Sequence, residues 1–136
     1  MKHKPISCPD WLIVAAVTVL LLTMVVDAEA DDWSKADTTR QMIYTALLTV
    51  DALTTIDIGN NEEIQEAAVA TRQILGDNPE PLETAVYFTA LGVANYYVAK
   101  SLPAGKWRTG WQTGSAIISG TYVINNWKLG LRPAFK

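Results

Sequence analysis

Asp51 stands three and four residues before Thr54 and Thr55, so in a helix one carboxylate and two hydroxyls share about the same face. Gln112, Ser115, Ser119 and Asn126 fall within about 60° of one another at the helical rotation per residue. Asn95 is a further amide, placed between the two groups in sequence. Such a set could move protons through its carboxylate, or it could tie helices together by hydrogen bonds. Composition weighs against the first use. The single histidine, His3, and the single cysteine, Cys8, both lie ahead of a long apolar run near the N-terminus. A chain starting after that run has no imidazole for acid–base work and no thiol for a disulfide, a nucleophile or a metal site. A second carboxylate such as Asp57 or Glu83 would be needed beside Asp51, and spacing gives no pair. The glycines are scattered, and "GKW" at 105–107 lacks the flanking residues of a phosphate loop. We therefore expect no catalytic, cofactor-binding or metal-binding residues, and no enzyme activity.

What remains is a candidate polar cluster of Asp51, Thr54, Thr55, Asn95, Gln112, Ser115, Ser119 and Asn126. In a bilayer Asp51 would have to face the other helices, because an unpaired carboxylate in hydrocarbon is costly. In a water-soluble bundle the same residues would form a solvated surface. Both readings stay open on the sequence.

Four helical segments are expected to position these residues, and strands are hard to find. The first runs over about 38–58, with Thr38-x-x-Gln41 as a capping box and Ile43, Ala46, Leu47, Val50, Leu53 and Thr54 as its apolar stripe. The second covers about 61–75, capped by Asn60, acidic at its start through Glu62, Glu63 and Glu66, and stopped by Gly76. Pro81 is placed to open the third, over about 82–102, and the fourth spans about 110–127. With the short linker "PAGKWRTG" the last two read as a helical hairpin. No charge falls between Thr84 and Ala99 or between Gly110 and Trp127. Trp107 and Trp111 at one end and Trp127 at the other stand where interfacial aromatics would bracket a thin membrane. Ala90/Ala94, Ser115/Ser119 and Ala116/Gly120 are small-residue pairs that let helices approach closely. Lys100, Lys106 and Arg108 cluster at the hairpin tip.

The 136 residues suffice for one compact domain. Charged residues make up 18% of them, below the roughly 25% of an average soluble domain, which leans toward membrane contact. A net charge of -3 without a Lys/Arg-rich run excludes nucleic acid as a partner. Lys2, His3 and Lys4, the apolar run Trp11–Val26 and Ala28-Glu29-Ala30 read as a secretory signal, with residues 1–30 either cleaved or kept as a signal anchor. Residues 31–136 then form a single helical domain.

Several motifs carry a resemblance: Asp51-x-x-x-Thr55, "ILG" at 74–76, Pro79, Tyr87-Phe88, Leu102-Pro103, Trp107-Arg108-x-x-Trp111-Gln112 and Asn126-x-x-x-Gly130-x-Arg132. Together they are similar to an uncharacterised family of small helical exported or membrane proteins of bacteria and their phages. That pattern has His, Gln, His and Glu where this chain has Leu48, Thr54, Asn95 and Ser119. Two His, an Asp and a Glu on facing helices could bind a metal or pass protons; Leu, Asn and Ser cannot. The resemblance therefore implies a member that keeps hydrogen-bonding residues rather than a reactive set.

The fold expected is all-α, a small helical bundle with a C-terminal helical hairpin embedded in a membrane. The function expected is that of a structural or interaction protein of the inner membrane or periplasm of a Gram-negative-type cell, in contact with lipid and with a protein partner or further copies of itself. The alternatives are a phage-type lysis protein of holin kind and a soluble periplasmic four-helix bundle.

Overall fold

The computed structural model describes residues 33–59, 69–76 and 80–131. The signal-like segment, its cleavage site, the start of the second helix and the basic residues of the tail beyond 131 lie outside the described residues. The described chain is helical: α1 (Lys35–Gly59), α2 (Val69–Leu75), α3 (Pro81–Ser101) and α4 (Lys106–Lys128).

Two starts lie earlier than the sequence suggests. At α1 the reciprocal cap is Ser34-x-x-Asp37: the Asp37 amide donates to Ser34 Oγ at 3.1 Å, and the Ser34 amide donates to Asp37 Oδ2 at 3.0 Å. Thr38, the expected cap, instead accepts from Trp33 Nε1 at 3.1 Å, and Gln41 is buried between helices. α4 begins at Lys106, straight after Gly105, so Trp107 and Arg108 belong to its first turn and the connection shrinks to a few residues. Pro81 opens α3 as expected. α4 closes in a Schellman motif: Gly130 takes φ 84°, its amide reaches Trp127 O, and the Leu131 amide reaches Asn126 O. Leu131 is buried behind that turn.

Pairing fixes the topology. Against α4, α1 is matched by Gln41 with Gln112, Leu47 with Gly120 and Asp51 with Asn126, so the two run parallel. Trp33 meets Tyr96, Gln41 meets Asn95 and Leu48 packs with Phe88, so α3 runs antiparallel to α1. α1 packs most extensively on α4, less on α3, and α3 touches α4 least. The expected hairpin is therefore loose; α1 does the joining.

Inward positions on all three long helices advance in alternate steps of four and three, the 3.5-residue repeat of coiled coils. On α1 they are Asp37, Gln41, Tyr44, Leu48, Asp51 and Thr55, all buried. On α3 they are Ala85, Phe88, Gly92, Asn95 and Ala99. The apolar core is small: Tyr44, Leu48, Ala52 and Phe88 form one cluster, Ile56 and Ala85 another, both between α1 and α3. The α1–α4 seam is largely polar.

This corrects the expected stripe on α1. Ile43 and Ala46 are exposed, Leu47, Val50 and Leu53 only half-buried, and the polar edge faces in. The outside is correspondingly apolar: Val86, Ile117, Ile118, Ile124 and Trp107 all have more than half their surface open. By length alone, α1, α3 and α4 reach about 31 to 38 Å at 1.5 Å per residue, and a bilayer core is about 30 Å. Even so, among the described residues no helix is long and apolar enough to cross a membrane.

Candidate functional site

Two hydrogen-bonded groups occupy the seam. In the lower one Asn126, at the last buried turn of α4, donates through Nδ2 to Asp51 Oδ1 at 3.0 Å and to Thr54 Oγ1 at 2.8 Å. The Thr54 hydroxyl in turn donates to the Val50 and Asp51 carbonyls of its own helix. An amide with two N–H donors suits one carboxylate and one hydroxyl, and none of the three side chains is more than 7% exposed. Thr55 is buried one residue further on.

The upper group centres on Gln112, which is wholly buried. Its Nε2 donates to the Asp37 carbonyl at 3.1 Å and to Gln41 Oε1 at 3.4 Å, and its Oε1 accepts from Arg40 Nε at 3.2 Å. Gln41 Nε2 reaches Asn95 Oδ1 at 3.3 Å, and Asn95 Nδ2 reaches Ser115 Oγ at 2.8 Å. Asn95 thus links α3 to both other helices. Arg40 forms a 2.7 Å ion pair with Asp37. Burial opposes the Asp37 charge, yet hydrogen bonds from Ser34 and Arg40 outweigh it and hold the carboxyl below its ordinary 3.8.

Arg108 extends this group to the α3 end. Its Nε and Nη2 donate to the Leu102 carbonyl at 3.2 and 2.8 Å, and Nε also to the Ala99 carbonyl at 3.1 Å, where helix C-terminal oxygens carry partial negative charge. Its guanidinium lies 5.2 Å from the centre of the Trp33 ring. Arg108 thus stands at the hairpin tip with Lys100 and Lys106, but unlike those two exposed lysines it is buried and serves the fold.

Between the two groups lies a cleft of about 200 Å³. Its walls include Tyr44, Tyr87, Phe88 and Tyr122, with Asp51 and Ser119 among its polar residues. Burial, followed by the Asp51 carboxylate and Tyr87, raises the Tyr44 hydroxyl to about 12.

The structure thus divides the eight sequence-chosen residues. Asp51, Thr54 and Asn126 are bonded together, with Thr55 beside them; Asn95, Gln112 and Ser115 belong to the upper group; Ser119 lines the cleft. They do not make one site. Asp57 is half-buried at the far end of α1 and Glu83 is exposed on α3. Of the positions where the resembled pattern carries other residues, Leu48 and Ser119 share the cleft with Asp51, while Asn95 belongs to the upper group. Among the described residues no three His, Cys, Asp or Glu side chains come together as a metal-binding set. Sequence reasoning missed Asp37, Arg40, Gln41 and Arg108. The signal was present: Asp37, Gln41 and Asp51 keep the four-and-three spacing on α1, as Arg108, Gln112, Ser115, Ser119 and Asn126 do within α4. Compared with family models, with curated proteins and with solved structures, the chain matches none of them.

Proposed function

We propose that this is a small helical scaffold of the cell envelope that works in a lipid bilayer, without catalytic chemistry of its own. The observation that carries the reading is the sidedness of the three long helices. Gln112, Thr54 and Thr84 have no exposed surface, whereas Ile117 and Ile118 are 64% and 59% exposed. Water drives apolar side chains inward and leaves polar ones outside. Hydrocarbon removes that drive and rewards helix contacts made by hydrogen bonds and small residues. Gln41, Asn95, Gln112 and Asn126 are such contacts, and Gly120 brings α4 against Leu47. That no described helix is apolar enough along its length to cross a membrane is compatible with this reading, because the inward polar seam counts in that average. Trp107 and Trp127, both exposed, mark the two ends of α4 as interfacial anchors would.

Fractionation of cells producing a C-terminally tagged full-length chain tests the proposal. A product that stays in the membrane pellet after a carbonate wash is expected. A soluble periplasmic product lighter by the first 30 residues would overturn it and favour a water-soluble bundle.

A further inference from the structure

We propose that the cleft between α1, α3 and α4, lined also by the buried Thr71 of α2, is a binding site for a small uncharged ring compound bearing a hydroxyl group, of the size and chemistry of phenol.

The cleft exists because α3 and α4 touch so little. Each packs on α1, and the space between them is left open below the Asn95–Ser115 hydrogen bond. Its volume sets the ligand size. An apolar cavity of about 150 Å³ takes up benzene, so about 200 Å³ admits one ring with a substituent. Its walls set the ligand surface: Phe88 and the rings of Tyr44, Tyr87 and Tyr122 offer faces and edges to an aromatic or saturated ring. Leu91 and Ile118, both exposed, flank the opening.

The polar lining sets the functional group. Tyrosine, serine and Thr71 hydroxyls both donate and accept, and the Asp51 carboxylate, which already accepts from Asn126, accepts several donors at once. A ligand hydroxyl can answer either kind of neighbour, whereas a hydrocarbon would leave these groups without a new partner. An anion would have to leave water and approach Asp51, which raises its cost twice. Tyr44 remains a neutral hydroxyl far into the alkaline range, so it is a donor at any ordinary pH. Ligands of this size bind weakly, and a dissociation constant on the order of 1 mM is expected.

The test is calorimetric titration of the purified full-length protein in detergent micelles with phenol, toluene and benzoate, each against a protein-free micelle blank. Phenol is expected to give saturable heat, toluene to bind at least tenfold more weakly, and benzoate to give none. Ser119→Leu, which puts an isobutyl group into the cleft, is expected to abolish the phenol signal. Leu91→Trp, at an exposed position on the rim, is expected to do the same without entering the core, and guards against a folding defect in the first variant. Absence of saturable phenol binding overturns the proposal. So does toluene binding as tightly as phenol, benzoate binding, or phenol binding that survives both substitutions.

Discussion

Tyr44 shows what one side chain undergoes in this interior. Its hydroxyl is drawn out of water beside the Asp51 carboxylate, and forming a phenolate there would place two negative charges together. Folding therefore raises its proton affinity from 10.0 to about 12. The sign of the linkage follows. The unfolded chain gives up this proton first, so the native state keeps its full stability below about pH 10 and loses it as pH climbs through the folded value. In a spectrophotometric titration of tyrosinate absorbance, one tyrosine is expected to ionise only near pH 12 or together with unfolding. Tyr44→Phe should remove that late step; an unchanged titration curve would contradict the assignment. Nothing in the sequence announces this property, because Tyr44 and Tyr87 become neighbours only when α1 packs on α3.

Helices are joined here by polar side chains where greasy ones are the usual choice, and Asn126 is the plainest joint. It binds α4 to α1 through Asp51 and Thr54. Asn126→Ala leaves a buried carboxylate oxygen without its amide donor, and a cost of about 2–4 kcal/mol in denaturant unfolding is expected. Thr121→Ala is the control: that hydroxyl is exposed and bonds only the Ile117 carbonyl one turn back, so its loss should stay within about 0.5 kcal/mol. Equal effects from the two would mean that the joint does not hold the helices. The ends of these elements were partly legible. Pro81 at a helix start and Gly76 after a helix end follow from backbone chemistry that needs no tertiary information. The start of α1 was misread because Thr38-x-x-Gln41 imitates a cap four residues beyond Ser34-x-x-Asp37, and only the fold shows that Gln41 is needed by Asn95. The start of α4 was misread because Lys106 and Arg108 look like a solvated loop until the α3 carbonyls take up Arg108.

Which face of α1 turns inward was the least legible feature of the whole molecule. Its apolar stripe and its polar seam share nearly the same helical period, so periodicity alone cannot rank them. Burial depends on what lies opposite, and opposite α1 stand Gln112, Asn95 and Asn126. The outer surface that results has a consequence for placing charge on it. Ile117 and Ile124 lie on one outward face of α4, seven residues apart, and each is more than half exposed. Where water covers that face, replacing both by lysine removes no core contact and should alter unfolding by less than about 0.5 kcal/mol per site. Where hydrocarbon covers it, the lysine at position 117, in the middle of α4, costs about 2.5–3.5 kcal/mol of insertion energy, and the one at 124, a turn from Trp127, costs less. The pair Ile117→Lys/Ile124→Lys separates the two media. On the lipid reading, the doubly substituted chain is expected to leave the carbonate-resistant fraction, while the same substitutions in purified, detergent-solubilised protein keep its helical circular dichroism. Retention in the membrane at the level of the unaltered chain would mean that this face does not meet lipid, because an ammonium group at position 117 could not go unnoticed in hydrocarbon.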